Sequence, residues 1–319
     1  MSDSNQPLPS IRPATVFERA SALELLLFAQ PAAQREEQIT EWLEESQTRG
    51  TLDGLWVAEM DGRVVGAALG RRLPGRSATV WPARVTDTYS GPAFESRLLA
   101  AVVTWLANDD VHSIQALLPA EIGPEHDQLI AAGFLRVAEL LLQLCFLDKR
   151  SAVSAGSPKR IAGLSFVPYI PQFRSRLTAI LQRTYQGSLD CPVLDRACDL
   201  GDVLDGYAAH GDGGTAGWYL MERAGVDAGC LLLAHDQRLG YTELVYMGLV
   251  PDARGLGLGR EVVRYAQEVA RSEGLLRMSL AVDAGNSPAI AAYEGMGFIT
   301  WERKTAYFRR IEPHAPDGK

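Results

Sequence analysis

The sequence predicts an α/β (α+β) chain built from two similar units in tandem, and three observations lead there. The chain has 319 residues, and at roughly 150 residues per domain that length suggests two cores. Its 47% hydrophobic content fits folded domains and excludes disorder as the whole story. An internal repeat is visible at a shift of about 163 residues: Trp56 with Gly66 in WVAEMDGRVVGAAL corresponds to Trp218 with Gly229 in WYLMERAGVDAGCLLL, and Gly133-Phe134 corresponds to Gly297-Phe298.

In each copy two helical stretches come first. Strand-type runs follow, then a helix, a strand, a helix and a last strand pair. In the second copy the apolar periodicity predicts helices near 170–186 and 200–210 and strands near 216–223, 226–235 and 240–250. A helix near 257–273, a strand near 275–282, a helix near 287–296 and strands beyond 297 complete it. Asn286-Ser287-Pro288 supplies a cap and a first-turn proline, and Gly274 ends the preceding helix. Between the copies, LDKRSAVSAGSPKRIAG (Leu147 to Gly163) reads as a linker, with the boundary near residue 155. The expected domains are therefore 1–150 and 164–319, joined by a linker over 151–163.

Composition narrows the function. The chain carries 31 Lys and Arg against 39 Asp and Glu, a formal charge of -8, which argues against a nucleic-acid binder that relies on overall basicity. No apolar run reaches the ~18 residues that span a bilayer; the richest, Leu135 to Leu147, is broken by Arg136, Glu139 and Gln143. The first residues, MSDSNQPLPS, show no secretory signal, so the expected address is cytoplasmic. Cys145, Cys191, Cys198 and Cys230 form no CxxC and the five His are scattered, so reduced thiols and no metal site are expected.

The most informative stretch is YTELVYMGLVPDARGLGLGREVVRYAQEVA, residues 241–270: an apolar strand, a proline, a glycine-rich turn and an amphipathic helix. Without side chains at Gly255, Gly257 and Gly259 a phosphate can approach the backbone. The helix start, running through Leu256 and Leu258, presents unpaired N–H groups, and Arg254 and Arg260 add full positive charges. The dinucleotide pattern GxGxxG requires glycine where Arg260 stands, and the P-loop requires a Lys-Ser or Lys-Thr that is absent. A glycine-rich turn with no ligand is the alternative.

Arg254-Gly255-Leu256-Gly257-Leu258-Gly259 satisfies the signature (Gln or Arg)-x-x-Gly-x-(Gly or Ala) of the GNAT superfamily of acyl-CoA N-acyltransferases, which residues 164–311 resemble. The preceding strand ELVYMGLVP and the downstream NSPAIAAYEGMGF extend the likeness, and the tandem plan is similar to that of mycothiol synthases, an architectural likeness that does not fix the substrate. The resemblance implies two mixed, mostly antiparallel sheets flanked by helices. It also implies acetyl-CoA as co-substrate: loop N–H groups would hold the pyrophosphate, and splayed fourth and fifth strands would admit the pantetheine arm beside Met247, Leu249 and Val250. Asn286 matches a coenzyme-contacting position, although capping its own helix explains it equally well.

At the loop position the first copy reads Gly91-Pro92-Ala93-Phe94-Glu95-Ser96-Arg97, and Leu129 stands where the second has Tyr293. Pro92 removes a donor and Phe94 would crowd a phosphate, so residues 1–150 are expected to be a degenerate, noncatalytic copy.

Acyl transfer to an amine requires removal of a proton, because an amine of lysine type has a pKa of about 10.4. Glu243, in ELVYMG, resembles the place of the general base in histone-type members; an exposed carboxylate paired with an arginine is the competing reading, and Glu222 is the reserve base. Tyr293 matches the family's tyrosine that returns a proton to the leaving thiolate, with simple core packing as its alternative. A strand-four N–H, that of Leu249 or its neighbour, would hold the oxyanion. The acceptor is a small-molecule or peptide amine. The stretch SLDCPVLDRACDLGDVLDGYAAHGD has six Asp and one Arg, which would attract a cationic one, unless its aspartates are caps on a solvated face. Against this enzyme stands a noncatalytic acyl-CoA-binding module.

Overall fold

The computed structural model describes residues 9–86, 92–147, 163–194 and 198–312. All of the expected linker except Gly163 lies outside them, as does Gly91. The chain divides into two compact units, one formed by 1–136 with 306–319 and the other by 137–305.

In the first unit the order is β1 (Ser10–Pro13), α1 (Arg19–Leu26), α2 (Ala32–Arg49), β2 (Leu55–Met60), β3 (Arg63–Leu73), β4 (Ser77–Val85), α3 (Pro92–Ala107), β5 (Ser113–Pro119) and α4 (Pro124–Ala131). The sheet runs β1-β2-β3-β4-β5, antiparallel except for β4 beside β5. Helices cover both faces. One core gathers Leu98, Leu99, Val102 and Leu106 of α3 with Ile114, and a second gathers Leu23, Ile39 and Trp42 of α1 and α2 with Leu55 and Leu69.

The second unit contains β6 (Leu135–Phe146), β7 (Leu164–Pro168), α5 (Arg174–Tyr185), α6 (Leu200–Tyr207), β8 (Gly217–Arg223), β9 (Val226–Asp236), β10 (Tyr241–Leu249), α7 (Leu258–Ser272), β11 (Arg277–Asp283), α8 (Ser287–Glu294) and most of β12 (Ile299–Arg310). Its strand order is β12-β6-β11-β10-β9-β8-β7. Helix α7 buries Leu258, Val262, Val263, Ala266 and Ala270, a stripe at helical spacing, against Leu233, Leu244 and Met278. It ends where the sequence marks it: Gly274 has φ +76° and the Leu275 N–H bonds back to the Ala270 carbonyl.

Three features differ from the expectation. Strand β7 precedes the first helix of the second copy, the last strand pair is one long strand, β12, and the units do not divide near residue 155. The last difference has a clear cause. Strand β6, from the end of the first copy, pairs antiparallel with all of β11, from Leu140 opposite Asp283 to Phe146 opposite Arg277. The end of β12 lies beside β5 in the first unit, where the Ile311 N–H bonds to the His112 carbonyl and Tyr307 reaches His126. Each copy lends its last strand to the other unit, so the apolar run from Leu135 supplies an inner strand of the second sheet.

Among the described residues no helix is long and apolar enough to cross a membrane, and no group of three metal-ligating side chains occurs.

Candidate active site

The site grows out of a break in the sheet of the second unit. Strands β10 and β11 run parallel but pair only at Thr242–Met278 and Glu243–Ser279. Just beyond, the register of β10 against β9 slips between Leu244 and Tyr246, leaving Val245 as an extra residue; such a bulge bends the strand. The two strands separate and a cavity of about 660 Å³ opens, lined by Met247, Leu249, Arg254, Arg260, Tyr293 and Asp190 among others.

Period-two geometry then decides which strand groups face the opening. The Val250 N–H bonds to the Ala228 carbonyl on the β9 side, so the backbone of Met247 and Leu249 faces the side where pairing with β11 has ceased. These two can meet a chain of amides. Val250 cannot: its N–H is engaged, it is buried and it does not line the cavity.

At the loop, Gly255 and Gly257 have φ of +72° and +74°, and a Cβ at either would meet nothing within 4 Å. Backbone conformation, not crowding, requires glycine there. Gly257 is the N-cap of α7 and offers no side chain to its first N–H groups, so these remain available to an anion. Leu258 is buried beside the opening, while Leu256 is exposed and outside the lining. Gly259 lies against α8, where an added Cβ would be 3.7 Å from that of Ala292.

The two arginines divide their roles. Arg254 donates from Nε to the Leu249 carbonyl at 3.0 Å, from Nη1 to Gln186 and Gly187 at 2.7 and 2.9 Å, and from Nη2 to Thr184 at 2.7 Å. It ties the loop to the C-terminus of α5, where a cation is favoured. Arg260 lines the cavity and forms no ion pair among the described residues. A phosphate would find its charge free.

The candidate proton carriers are arranged unevenly. Tyr293 lines the cavity and is 5% exposed; burial first and the Asp190 charge second hold its phenol above the ordinary range, so it stays protonated. It also packs on Phe298, with ring centroids 5.8 Å apart. Glu243 is one residue outside the lining, and its Oε2 lies 3.0 Å from Nδ1 of His210, three residues beyond α6. That bond, opposed by burial, raises the His210 pKa. Glu222 is remote from the cavity lining and is held by Arg176 at 2.6 Å, with Asp227 on the same guanidinium. Asn286 caps α8, accepting from the Ala289 N–H at 3.4 Å, and also lines the cavity.

The acidic stretch proves mostly structural. Asp199 caps α6, Asp205 pairs with Arg174 and Asp212 accepts from the Gln237 N–H, while Asp195 lies outside the described residues. Asp190 is different: it lines the cavity, and burial pushes its pKa up. Sequence reasoning noticed the stretch but had no signal to single out Asp190, and His210 carried none either. No disulfide joins the four cysteines.

The equivalent place in the first unit is arranged differently among the described residues. Strands β4 and β5 pair only from Ser77 to Thr79 and β4 carries a bulge at Pro82–Ala83, so the backbone plan repeats. Here, however, Arg84 pairs with Glu125 at 2.5 Å, and Gln128 Nε2 donates to the Ala83 carbonyl at 3.1 Å. Glu95, in the first turn of α3, brings a carboxylate to the helix start, and burial and then Glu125 raise its pKa. Among the described residues, the Ala83 carbonyl and the Arg84 side chain of β4 are thus engaged by α4.

Comparison with known proteins agrees with this geometry. The family model described as "Acetyltransferase (GNAT) family" matches residues 177–298. A mycothiol acetyltransferase of Streptomyces coelicolor is 36% identical over 214 residues, which cover 59% of this chain and 68% of that protein. Another, from Thermobispora bispora, is 36% identical over 99 residues, 30% of this chain and 34% of that one; the chain thus spans about a third of its length. Among solved structures, a GCN5-related N-acetyltransferase from Sphaerobacter thermophilus superposes with a TM-score of 0.60 over 96% of both chains at 16% identity. A tandem GNAT protein from the clavulanic acid biosynthesis pathway does so with a TM-score of 0.51 over 96% of this chain and 99% of that one, at 18% identity. These two likenesses show the tandem fold.

Proposed function

The chain belongs to the GNAT acetyltransferase family and is an acyltransferase, and from that premise we propose that its second copy transfers the acetyl group of acetyl-CoA directly to a primary amine. The observation that carries the proposal is the continuous cavity from the Gly255–Gly259 loop, along the unpaired side of Met247 and Leu249, to Tyr293. The residues fit coenzyme A: glycines and free helix N–H groups for the pyrophosphate with Arg260 beside them, and alternate strand amides for the pantetheine. Arg254 positions this loop, and Asn286 borders it.

In the proposed reaction the amine nitrogen attacks the thioester carbonyl, and the N–H of Met247 or Leu249 holds the oxyanion. Glu243, or a water it orients, accepts the amine proton, with His210 fixing the carboxylate. Tyr293, kept protonated by burial, gives its proton to the leaving sulfur. The first copy, whose Arg84 pairs with Glu125 and whose Gln128 bonds the Ala83 carbonyl, is noncatalytic in this reading.

Titration calorimetry with acetyl-CoA, alongside a thiol-release assay over a panel of amines, tests this reading. One binding event per chain and amine-dependent release of coenzyme A are expected. Binding without release on any amine would leave a noncatalytic acyl-CoA-binding module.

A further inference from the structure

Among the described residues that line the cavity, Asp190 is the one acid. Its carboxylate is firmly placed: Oδ1 accepts the Asp283 N–H at 3.0 Å, and Asp283 Oδ2 in turn accepts the Cys191 N–H at 3.1 Å. This reciprocal clasp fastens the loop after α5 to the end of β11. The second oxygen, Oδ2, makes no hydrogen bond among the described residues, and no Lys, Arg or His pairs with the group. The two arginines of the lining belong to the phosphate loop, and Arg254 is committed to backbone carbonyls.

A half-buried carboxylate with no counter-charge among the described residues is poorly compensated until a cation arrives. The surroundings suit a small organic cation better than a hydrated metal ion. Tyr246 and Tyr293 line the same cavity, and Tyr207 stacks behind Tyr246 with centroids 5.7 Å apart. Aromatic rings attract an ammonium through their faces, and among the described residues no second acid lines the cavity and no group of three metal-ligating side chains occurs. Asp190 also raises the pKa of Tyr207, Tyr246 and Tyr293, so its charge is felt across this aromatic wall.

We propose that Asp190 is the binding point for the acceptor's ammonium group, and that the acceptor therefore enters the cavity as a cation. The inference rests on the acetyltransferase reading above and names its substrate class: amines protonated at neutral pH, in preference to weakly basic or uncharged nucleophiles. Asp190 is a specificity-determining residue; Glu243 keeps the proposed task of accepting the proton.

The test is calorimetry on the full chain saturated with coenzyme A, at pH 7, with ethanolamine as the cationic probe and ethylene glycol as its uncharged counterpart. Ethanolamine should bind and ethylene glycol should not. Asp190→Asn should weaken ethanolamine by about tenfold or more, the scale of losing one charged contact, and leave coenzyme A affinity within about twofold. Asparagine can still accept the Asp283 N–H, so the clasp and the fold should survive. Asp190→Glu, which keeps the charge, should retain ethanolamine binding better than Asp190→Asn. No ethanolamine binding by the parent protein, equal binding by Asp190→Asn, or equal binding of ethylene glycol would each overturn the proposal. Failure of the parent protein to bind coenzyme A would instead count against the acetyltransferase reading, so the two failures are separable.

Discussion

Arg254 donates from Nη2 to the Thr184 carbonyl at 2.7 Å, joining the glycine loop to the last turn of α5 across 70 residues of sequence. With its bonds to Leu249, Gln186 and Gly187, this makes the arginine of the family signature an internal brace. Arg254→Ala should lower stability by about 1–3 kcal/mol, the range for hydrogen bonds to a charged group, and weaken acetyl-CoA indirectly. Arg260→Ala should weaken acetyl-CoA by about tenfold while leaving stability within roughly 0.5 kcal/mol, as expected of an exposed cation with no ion pair among the described residues. Denaturant melts and calorimetry on both variants check the division; identical profiles would refute it.

Gly257 offers a second test because its surroundings are open. Gly257→Val should cost about 1–2 kcal/mol through its left-handed backbone and abolish acetyl-CoA binding, whereas Gly257→Asn, a residue that tolerates this conformation, should keep part of both. Gly259→Ala meets Ala292 at 3.7 Å, ordinary contact, and should be mild. If asparagine and valine behaved alike at 257, crowding by the ligand would be the controlling factor.

The Arg84–Glu125 pair and the Gln128–Ala83 bond in the first unit predict one coenzyme site per chain. Calorimetric stoichiometry should be one. A bound structure with pyrophosphate at the start of α3, displacing the Arg84–Glu125 pair, would refute it.

Strand exchange predicts that residues 156–319 are not an independent unit. That fragment lacks β6, so one edge of β11 from Arg277 to Asp283 loses its partner, and an open apolar edge aggregates. Low solubility or a marked loss of stability relative to the full chain is expected. A soluble, monomeric fragment as stable as the parent would contradict the exchange.

The proton carriers predict opposite pH trends. Glu243→Gln should lower turnover at neutral pH by roughly 10²- to 10⁴-fold with little change in acetyl-CoA affinity, and the defect should shrink as pH rises, because solution base then supplies neutral amine. Tyr293→Phe should lower turnover without that rescue. His210 gives a structural companion: its pKa is raised by Glu243 above the ordinary 6.5. The pair's contribution to stability is therefore fully present below pH 6.5 and is lost as pH rises through the folded-state midpoint. Proton NMR of the His210 ring should place that midpoint above 6.5 and return it toward 6.5 in Glu243→Gln. An unchanged midpoint would separate the two residues.

The sequence by itself determined the duplication, through its self-similarity, and the loop with its flanking helices, through local rules, while Tyr293 was singled out by family resemblance alone. Glycines at 255 and 257 answer to backbone conformation, Asn286 and Pro288 to helix initiation, and the stripe from Leu258 to Ala270 to helical period. Only the tertiary structure decided matters that join distant segments. It committed Arg254 to α5 and left Arg260 uncommitted, turned the Val250 N–H toward Ala228, paired Glu243 with His210, held Glu222 on Arg176 and lent β6 to the second unit. It also set Asp190, which lines the cavity, apart from the other described aspartates of that stretch. A side chain's type fixes what it can donate or accept, but which partner it meets follows from the packing of elements up to about 164 residues apart, as Glu139 meets Arg303, and no local pattern records that.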